Sequence, residues 1–549
     1  MLDAHDNGDH VVDGAQTIVD RRPFRDTPPK VRSDRPPARQ RFETSWIDLV
    51  FALAVGATAI AYLNLSRNTY FSGEDWPLSL RGYSLSDYLQ PYNGHLSIVT
   101  LATYRVLFKV FGFETYAPWR FVGVVAILSA PVALYCIARV KVGQLIAAVA
   151  AGYLLWFPHT VLSAASIGYS VAVTAAIICA YALGRDDTTG DVVVGAALVV
   201  GLGSADVALA TVAACIVHAA CTRAGPRRWI AVLAPAVVWA GWWVRYHDSN
   251  SRAPAALRLD ASGYVHTTFD GIRNSFDALA FDNHFAGTIL MVAFVVHLAW
   301  RLRQGLQASV NVLAWTTALI VCWLLLADSR GTLANVNSIQ YVLSGSVFIL
   351  LALIPTKPLK LPELTRSPVA ALALVVAGAL IVVGNQGPIT DAAHTQRQVS
   401  LASKRMSAQV NLGQSVVPDN RRLGPNLGNL TAKQFRRAAD AYGAPGGAGV
   451  NAADKVLIDT TNFQFVREAN ALPCTRPRPQ LGLPAVGRVR ISTGSAPTQV
   501  TVRRFGNIPI PIGSVPARTT VTVQLAGPTR RPWTVIAPGA CVAAVRRTR

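Results

Sequence analysis

Charge is what this sequence has least of. Only 15% of its 549 residues are Asp, Glu, Lys or Arg, whereas 51% are hydrophobic, and the mean hydropathy is +0.33. A soluble chain of this length cannot bury so much apolar surface in its own core, so a soluble enzyme is excluded and the surplus must face lipid. Acidic residues are scarcer still, 30 against 51 Lys and Arg. Cysteine is sparse as well: the seven thiols form no Cys-x-x-Cys pair and no Cys/His cluster, which argues against structural zinc. No solenoid-length repeat and no sustained heptad pattern occurs, so neither a repeat array nor a coiled coil is expected. A cleavable signal peptide is also lacking. The first 44 residues are polar, contain Pro28, Pro29, Pro36 and Pro37, and carry eight Lys or Arg between Arg21 and Arg41, which reads as a disordered cytoplasmic tail.

What is present is a series of apolar stretches, each of a length suited to a hydrocarbon core about 30 Å thick. They fall near 46–65, 117–138, 142–158, 167–183, 190–204, 205–222, 228–245, 285–303, 308–327, 338–356 and 368–384. The pair between Asp191 and Arg223 reads as a tight hairpin around Gly201 to Asp206. About eleven spans put the termini on opposite sides. Arg139, Lys141, Arg223, Arg227, Arg228, Arg301, Arg303, Lys357, Lys360 and Arg366 fall in loops of one side, and that bias predicts a cytoplasmic N-terminus. His95 to Phe113 is apolar too, but Arg105 and Lys109 stand one turn apart within it. An interfacial helix with both cations at headgroup level is cheaper than a span.

Residues 386–549 then form an extracytoplasmic basic domain. From 385 onward the chain holds 22 Lys or Arg against 6 Asp or Glu, most of the net charge of +21. Outside the cytoplasm, such a surface suits anionic lipid headgroups, polyprenyl phosphates or acidic wall polymers rather than nucleic acid. A helix-like stretch near Leu430 to Tyr442 precedes β-rich runs at Val456 to Asp459, Arg488 to Ser492, Gln499 to Val502, Thr519 to Leu525 and Trp533 to Ile536. Those short alternating runs, separated by Pro and Gly, predict a β-sandwich or jelly roll. The fold class is therefore an α-helical polytopic membrane domain over 45–385 with a C-terminal β-rich domain.

Three loops are polar enough for chemistry: Ser66 to Ala117, Tyr246 to His284 and Asp328 to Gln340. In the first, Glu74 and Asp75 follow Gly73 and precede Trp76, and the run Tyr92, Asn93, Gly94, His95 opens the interfacial helix. A carboxylate held at the membrane boundary can deprotonate a hydroxyl, since partial desolvation raises its proton affinity. An ordinary solvated loop acid is the plainer alternative. The second loop contains His247, Asp248, Asp260, His266, Asp270, Asp277, Asp282 and His284, in no recognised ligand spacing, and reads as solvated. His159 and Asp206 are given the same plain reading, with Asp206 near the hairpin tip. Cys136, Cys179, Cys215, Cys221 and Cys322 lie in or beside apolar spans and read as packing residues. Cys474 and Cys541, the two in the external domain, predict a disulfide.

A first span, an acidic pair with an aromatic, a loop ending in Asn93-Gly94-His95, an amphipathic interfacial helix, and Tyr116 and Arg120 leading into the second span together resemble polyprenyl-phosphate-dependent glycosyltransferases of the GT-C superfamily, including actinobacterial wall enzymes. The resemblance covers about 45–385 in architecture and 66–140 in residues. It implies that the first external loop supplies the acid that deprotonates the acceptor, here Asp75 with Glu74 beside it. No second acidic motif of the family type is identifiable. A divalent metal is consequently an open cofactor question, with no ligand set assigned.

On this reading a polyprenyl-phosphate sugar donor enters from the membrane and a cell-envelope glycan or lipid acceptor approaches from outside. Asp75 serves as base, Glu74 orients the acceptor or faces solvent, and Trp76, Asn93 and His95 shape the acceptor site. Arg330 would hold the donor phosphate, because a guanidinium fork matches phosphate oxygens. Arg105, Lys109 and Arg120 are weaker candidates, and a headgroup-anchoring arginine is the plain alternative for Arg330. Two other classes remain: a lipid-glycan flippase, which needs polar residues through the spans that are scarce here, and a noncatalytic scaffold binding anionic wall polymer.

Overall fold

The structure is a computed structural model. It describes residues 45–549 except positions 83, 93, 158–165, 247–259, 331–338, 356–367, 413–418, 421, 424–426, 444–463, 469–477, 479, 484–486, 504–509, 526–532 and 546–549. The predicted tail at 1–44, His159, His247, Asp248, Lys357, Lys360, Arg366, Asn93, Cys474 and the run at 456–459 lie outside the described residues.

Helix α1 (Trp46–Leu65) leads into a loop that carries α2 (Asp75–Ser79), α3 (Leu85–Leu89) and α4 (Ile98–Phe111). The bundle continues through α5 (Ala117–Val142), α6 (Gln144–Leu155), α7 (Ile167–Leu183), α8 (Thr188–Leu202), α9 (Ala208–Thr222) and α10 (Pro226–Tyr246). It is completed by α11 (Ala261–Leu279), α12 (His284–Arg303), α13 (Leu306–Arg330), α14 (Ile339–Leu353) and α15 (Pro368–Leu412), followed by α16 (Ala432–Tyr442). Each predicted span falls on one of these helices. Among the described residues, α1, α5, α12, most of α13 and the first part of α15 are long and apolar enough to cross a bilayer, while α6, α7, α8, α9 and α14 are shorter and apolar. Helix α10, with Trp229, Trp239, Trp242 and Trp243, falls in neither group. The chain is a membrane protein whose apolar helices turn wide hydrophobic faces outward, as Leu53, Ile60, Val296 and Val375 show.

Two ends of the bundle differ in chemistry. At one end Arg139 pairs with Asp48 at 2.8 Å and Arg228 pairs with Asp191, beside Arg185, Arg223 and Arg227. At the other end the loop between α1 and α5 meets α16, which precedes the strands.

Helix α15 runs for 45 residues instead of stopping near 384. At about 1.5 Å per residue it is roughly twice the hydrocarbon thickness, so its second half leaves the bilayer. Ser400, Ser403 and Ser407 recur on one face at spacings of three and four and are fully buried. That polar but enclosed face is what continues the helix beyond its apolar segment.

The stretch 261–279 is likewise a docked helix rather than a solvated loop. Asp260 caps α11 by accepting from the Gly263 amide, and Ser275, Phe276, Asp277 and Ala278 turn inward. Trp323 lies so close to Gly271 that a β-carbon there would overlap its ring at 2.1 Å. Hence Gly271 lets α11 approach α13. Asp277 bonds the ring of His284 at 2.6 Å.

The C-terminal domain holds β1 (Gln464–Arg467), β2 (Gln480–Leu483), β3 (Gly487–Thr493), β4 (Thr498–Arg503), β5 (Ile510–Val515), β6 (Thr520–Leu525), β7 (Trp533–Ile536) and β8 (Ala540–Val545). They form two antiparallel four-stranded sheets, ordered β1-β6-β3-β8 and β2-β7-β4-β5. Val489, Ile491, Val521 and Val523 of one sheet share a core with Val500, Val502, Val515 and Val535 of the other, which makes a sandwich. The same core cluster extends to Phe435 of α16 and to Trp76 and Phe113 of the first loop.

Candidate functional site

The site is built from the loop 66–116. Aromatics hold it: Trp76 is fully buried and stacks on Phe113 with centroids 4.6 Å apart, while Phe435 of α16 lies at 4.9 Å. Two serines of α15 fasten its backbone from beneath. Ser403 Oγ donates to the Phe71 carbonyl at 2.6 Å and accepts from Trp76 Nε1 at 3.2 Å, and Ser400 Oγ donates to the Tyr70 carbonyl at 3.2 Å. Trp76 is thus a packing residue, enclosed rather than facing an acceptor.

Asp75 sits at the start of α2 and is 1% exposed. Its Oδ1 accepts from Tyr104 of α4, and its Oδ2 accepts from the Ser72 amide at 2.9 Å and from Tyr116 at 3.4 Å. Burial pushes its carboxyl up to about 6, against those three hydrogen bonds, which act downward; the nearby Glu74 adds a small upward contribution. The same burial raises the Tyr104 hydroxyl well above its ordinary value. Sequence reasoning favours Asp75 as the base; the structure encloses its carboxylate and gives each oxygen a hydrogen-bond donor. Its neighbour Glu74 is exposed, and Tyr92 donates to the Glu74 carbonyl at 3.2 Å.

The Tyr-x-x-x-Arg run reads out in the same loop. Tyr116 reaches Asp75, and Arg120 donates to the Ser66 carbonyl at 3.1 Å, tying the start of α5 to the end of α1. Arg105 is enclosed by the protein, 6% exposed with its guanidinium 4.6 Å from the centroid of the Tyr88 ring, whereas Lys109 is exposed. Arg330 ends α13, and its side chain lies outside the described residues.

From Tyr92 the site passes to His95. The two exchange backbone hydrogen bonds of 2.9 and 3.0 Å around a turn, and His95 Nδ1 meets Asp206 Oδ2 at 3.0 Å. The hairpin of α8 and α9 brings Asp206 there; no local signal marked it, and only its place near a hairpin tip hinted at it. Glu74, Tyr92, His95 and Asp206 therefore line one end of the bundle in sequence, with Asp75 beneath them. Among the described residues, no three His, Cys, Asp or Glu side chains gather closely enough to hold a metal ion.

Between α1, α6 and α15 lies an apolar cavity of about 470 Å³, lined by Ala54, Ala57, Ala61, Gly152, Trp156 and Gly378 among others. Thr58, its one hydroxyl, is satisfied by the Ala54 carbonyl at 2.8 Å. A β-carbon added at Gly152 or Gly378 would meet nothing within 4 Å.

No family model matches the chain, and neither does any curated protein. Among solved structures, the crystal structure of ArnT from Cupriavidus metallidurans bound to undecaprenyl phosphate is similar at a TM-score of 0.43 and 15% identity, over 72% of this chain and 88% of that one.

Proposed function

We propose that this chain is a membrane glycosyltransferase of the GT-C type, moving a sugar from a polyprenyl-phosphate donor to a hydroxyl of a cell-envelope glycan or lipid. The observation that carries the proposal is the division of labour within the acidic pair: a buried Asp75 organises the loop while Glu74, one residue away, is open to solvent. A loop that buries a carboxylate at the cost of its ionisation, and presents a second at the same spot, is costly as mere decoration.

In the proposed reaction the acceptor O–H breaks and its proton passes to Glu74. The acceptor oxygen bonds the anomeric carbon from the face opposite the phosphate, and the carbon–oxygen bond to phosphate breaks. Its electron pair leaves on polyprenyl phosphate, and the anomeric centre inverts. Arg330, at the same end of the bundle, is assigned the leaving phosphate, and Asp75 shapes the loop through Tyr104 and Tyr116. The apolar cavity beside α1 suits an isoprenoid tail, since its lining is almost wholly hydrocarbon and its one hydroxyl, on Thr58, is already bonded. The basic outer domain suits anionic lipid or wall polymer, and the cationic ends of α5, α9 and α12 favour a cytoplasmic N-terminus.

Purified chain in nanodiscs, supplied with polyprenyl-phosphate sugars and candidate acceptors, should release polyprenyl phosphate. Glu74→Gln should slow release by about 100-fold or more, and Asp75→Asn should slow it much less. Full release in both variants would show that neither acid is the base, and a wild type that releases none would leave a noncatalytic scaffold.

A further inference from the structure

The turn that presents Glu74 is overlaid by a second turn, from the C-terminal domain. Gly428 packs against it so closely that a β-carbon would stand 2.6 Å from the Gly73 carbonyl oxygen and 2.5 Å from Pro77 Cδ. With φ of 61° at Gly428 and 55° at Asn429, two consecutive residues are left-handed, and the chain turns back at this contact. The overlying turn is fixed in place. The Leu430 amide donates to the Leu427 carbonyl at 3.2 Å, and the Leu423 amide donates to the Leu430 carbonyl at 2.9 Å. All three leucines are buried in the core that also holds Trp76 and Phe435. Thr431, the next residue, caps α16. At the tip Asn429 is exposed, as Glu74 is on the turn below.

The contact of Gly428 with Gly73 limits how far apart their neighbours can be. Standard backbone geometry puts the Cα atoms of Glu74 and Asn429 no more than about 11 Å from each other, a gap that one sugar ring with its hydroxyls can bridge. Tyr92 borders the same spot, with its hydroxyl on the Glu74 carbonyl at 3.2 Å. An exposed carboxylate and carboxamide beside a phenol suit a polyhydroxyl ligand, because a carboxamide both donates and accepts and so meets a hydroxyl in either role. Asparagine tolerates the left-handed conformation, but glycine adopts it at lower cost, so the conformation by itself does not call for the carboxamide. We propose that Asn429 is an acceptor-contact residue: it hydrogen-bonds a hydroxyl of the acceptor sugar adjacent to the one whose proton passes to Glu74. The C-terminal domain thereby takes part in selecting the acceptor. This inference rests on the transferase reading above, with Glu74 as the base.

The test compares Asn429→Gly and Asn429→Ala in the full chain in nanodiscs. Both remove the carboxamide; glycine keeps the left-handed turn without strain, and alanine is strained there. Each variant should raise the acceptor KM by about tenfold, the loss of one hydrogen bond, with kcat and the donor KM nearly unchanged. Asn429→Gly should also melt at the temperature of the wild type. A rise in acceptor KM with alanine but not with glycine would show that the turn conformation alone matters, and would overturn the inference. So would an unaltered acceptor KM in both variants, or a loss shared equally by the donor and acceptor KM. In each of those cases a wild type that transfers sugar leaves the transferase reading standing. A wild type that transfers none refutes that reading, and the acceptor role of Asn429 falls with it.

Discussion

The indole N–H of Trp76, in the first loop, donates to Ser403 Oγ on the far half of α15 at 3.2 Å, and Ser403 in turn donates to the Phe71 carbonyl at 2.6 Å. One buried hydroxyl thereby joins a membrane-spanning helix to the loop that carries both acids. Ser403→Ala should strand a buried indole donor and a carbonyl, costing about 1–3 kcal/mol. Protease cleavage within 66–116 should accelerate while the membrane helices keep their helical circular dichroism. Unchanged cleavage kinetics would show that the loop is held by its aromatic packing alone.

Asp75 makes stability depend on pH in a definite direction. Its folded value of about 6 stands above the ordinary 3.8, so its favourable contribution is complete below pH 3.8 and is lost as pH rises through about 6. About two pKa units correspond to roughly 3 kcal/mol. Asp75→Asn cannot ionise; its carbonyl can still accept from the Ser72 amide and Tyr116, and its amide N–H can donate to the Tyr104 hydroxyl oxygen. Relative to this variant, the wild type should therefore lose thermal stability between pH 4 and pH 8. Parallel melting curves across that range would refute it.

The apolar cavity gives a test of the lipid donor. Gly152→Leu and Gly378→Leu fill it without meeting neighbouring atoms at the β-carbon, so both should fold. Each should raise the KM for a long polyprenyl-phosphate donor by about tenfold, the loss of a few buried methylene contacts, and leave the acceptor KM as it was. A short-chain donor analogue should be indifferent to both. Equal effects on long and short donors would place the tail elsewhere.

Orientation follows from the cationic end of the bundle. A membrane-impermeant thiol reagent applied to intact cells should label a cysteine placed at Ala496, in the exposed turn between β3 and β4, and miss one at Gln304, between α12 and α13. The reverse pattern would place the β domain in the cytoplasm and remove the envelope substrates from its reach.

Protein purified without reductant should contain a Cys474–Cys541 disulfide, Cys541 lying on β8 and Cys474 outside the described residues. In a chain-entropy account, closing that loop of roughly 68 residues stabilises the domain by about 4 kcal/mol. Free thiols at both positions by mass spectrometry would end the idea.

The helices of the bundle other than α11, and four of the eight strands found among the described residues, were legible in the sequence because their signals are local: apolar length sets a helix in a bilayer, and alternation sets a strand such as β3 or β6. The acidic pair and the Tyr116–Arg120 run were legible for the same reason, as short motifs beside a span. What the sequence left open were the features in which polar residues are buried by distant partners. Helix α11 reads as a loop until Trp323 closes over Gly271; α15 reads as ending at its apolar segment until the first loop covers Ser400 and Ser403. Which acid is enclosed, Glu74 or Asp75, depends on where Tyr104 and Tyr116 come to rest. The meeting of His95 with Asp206 depends on where the hairpin of α8 and α9 ends. In each case the free energy of a polar group is set by whether a partner replaces water, and only the tertiary structure supplies that partner.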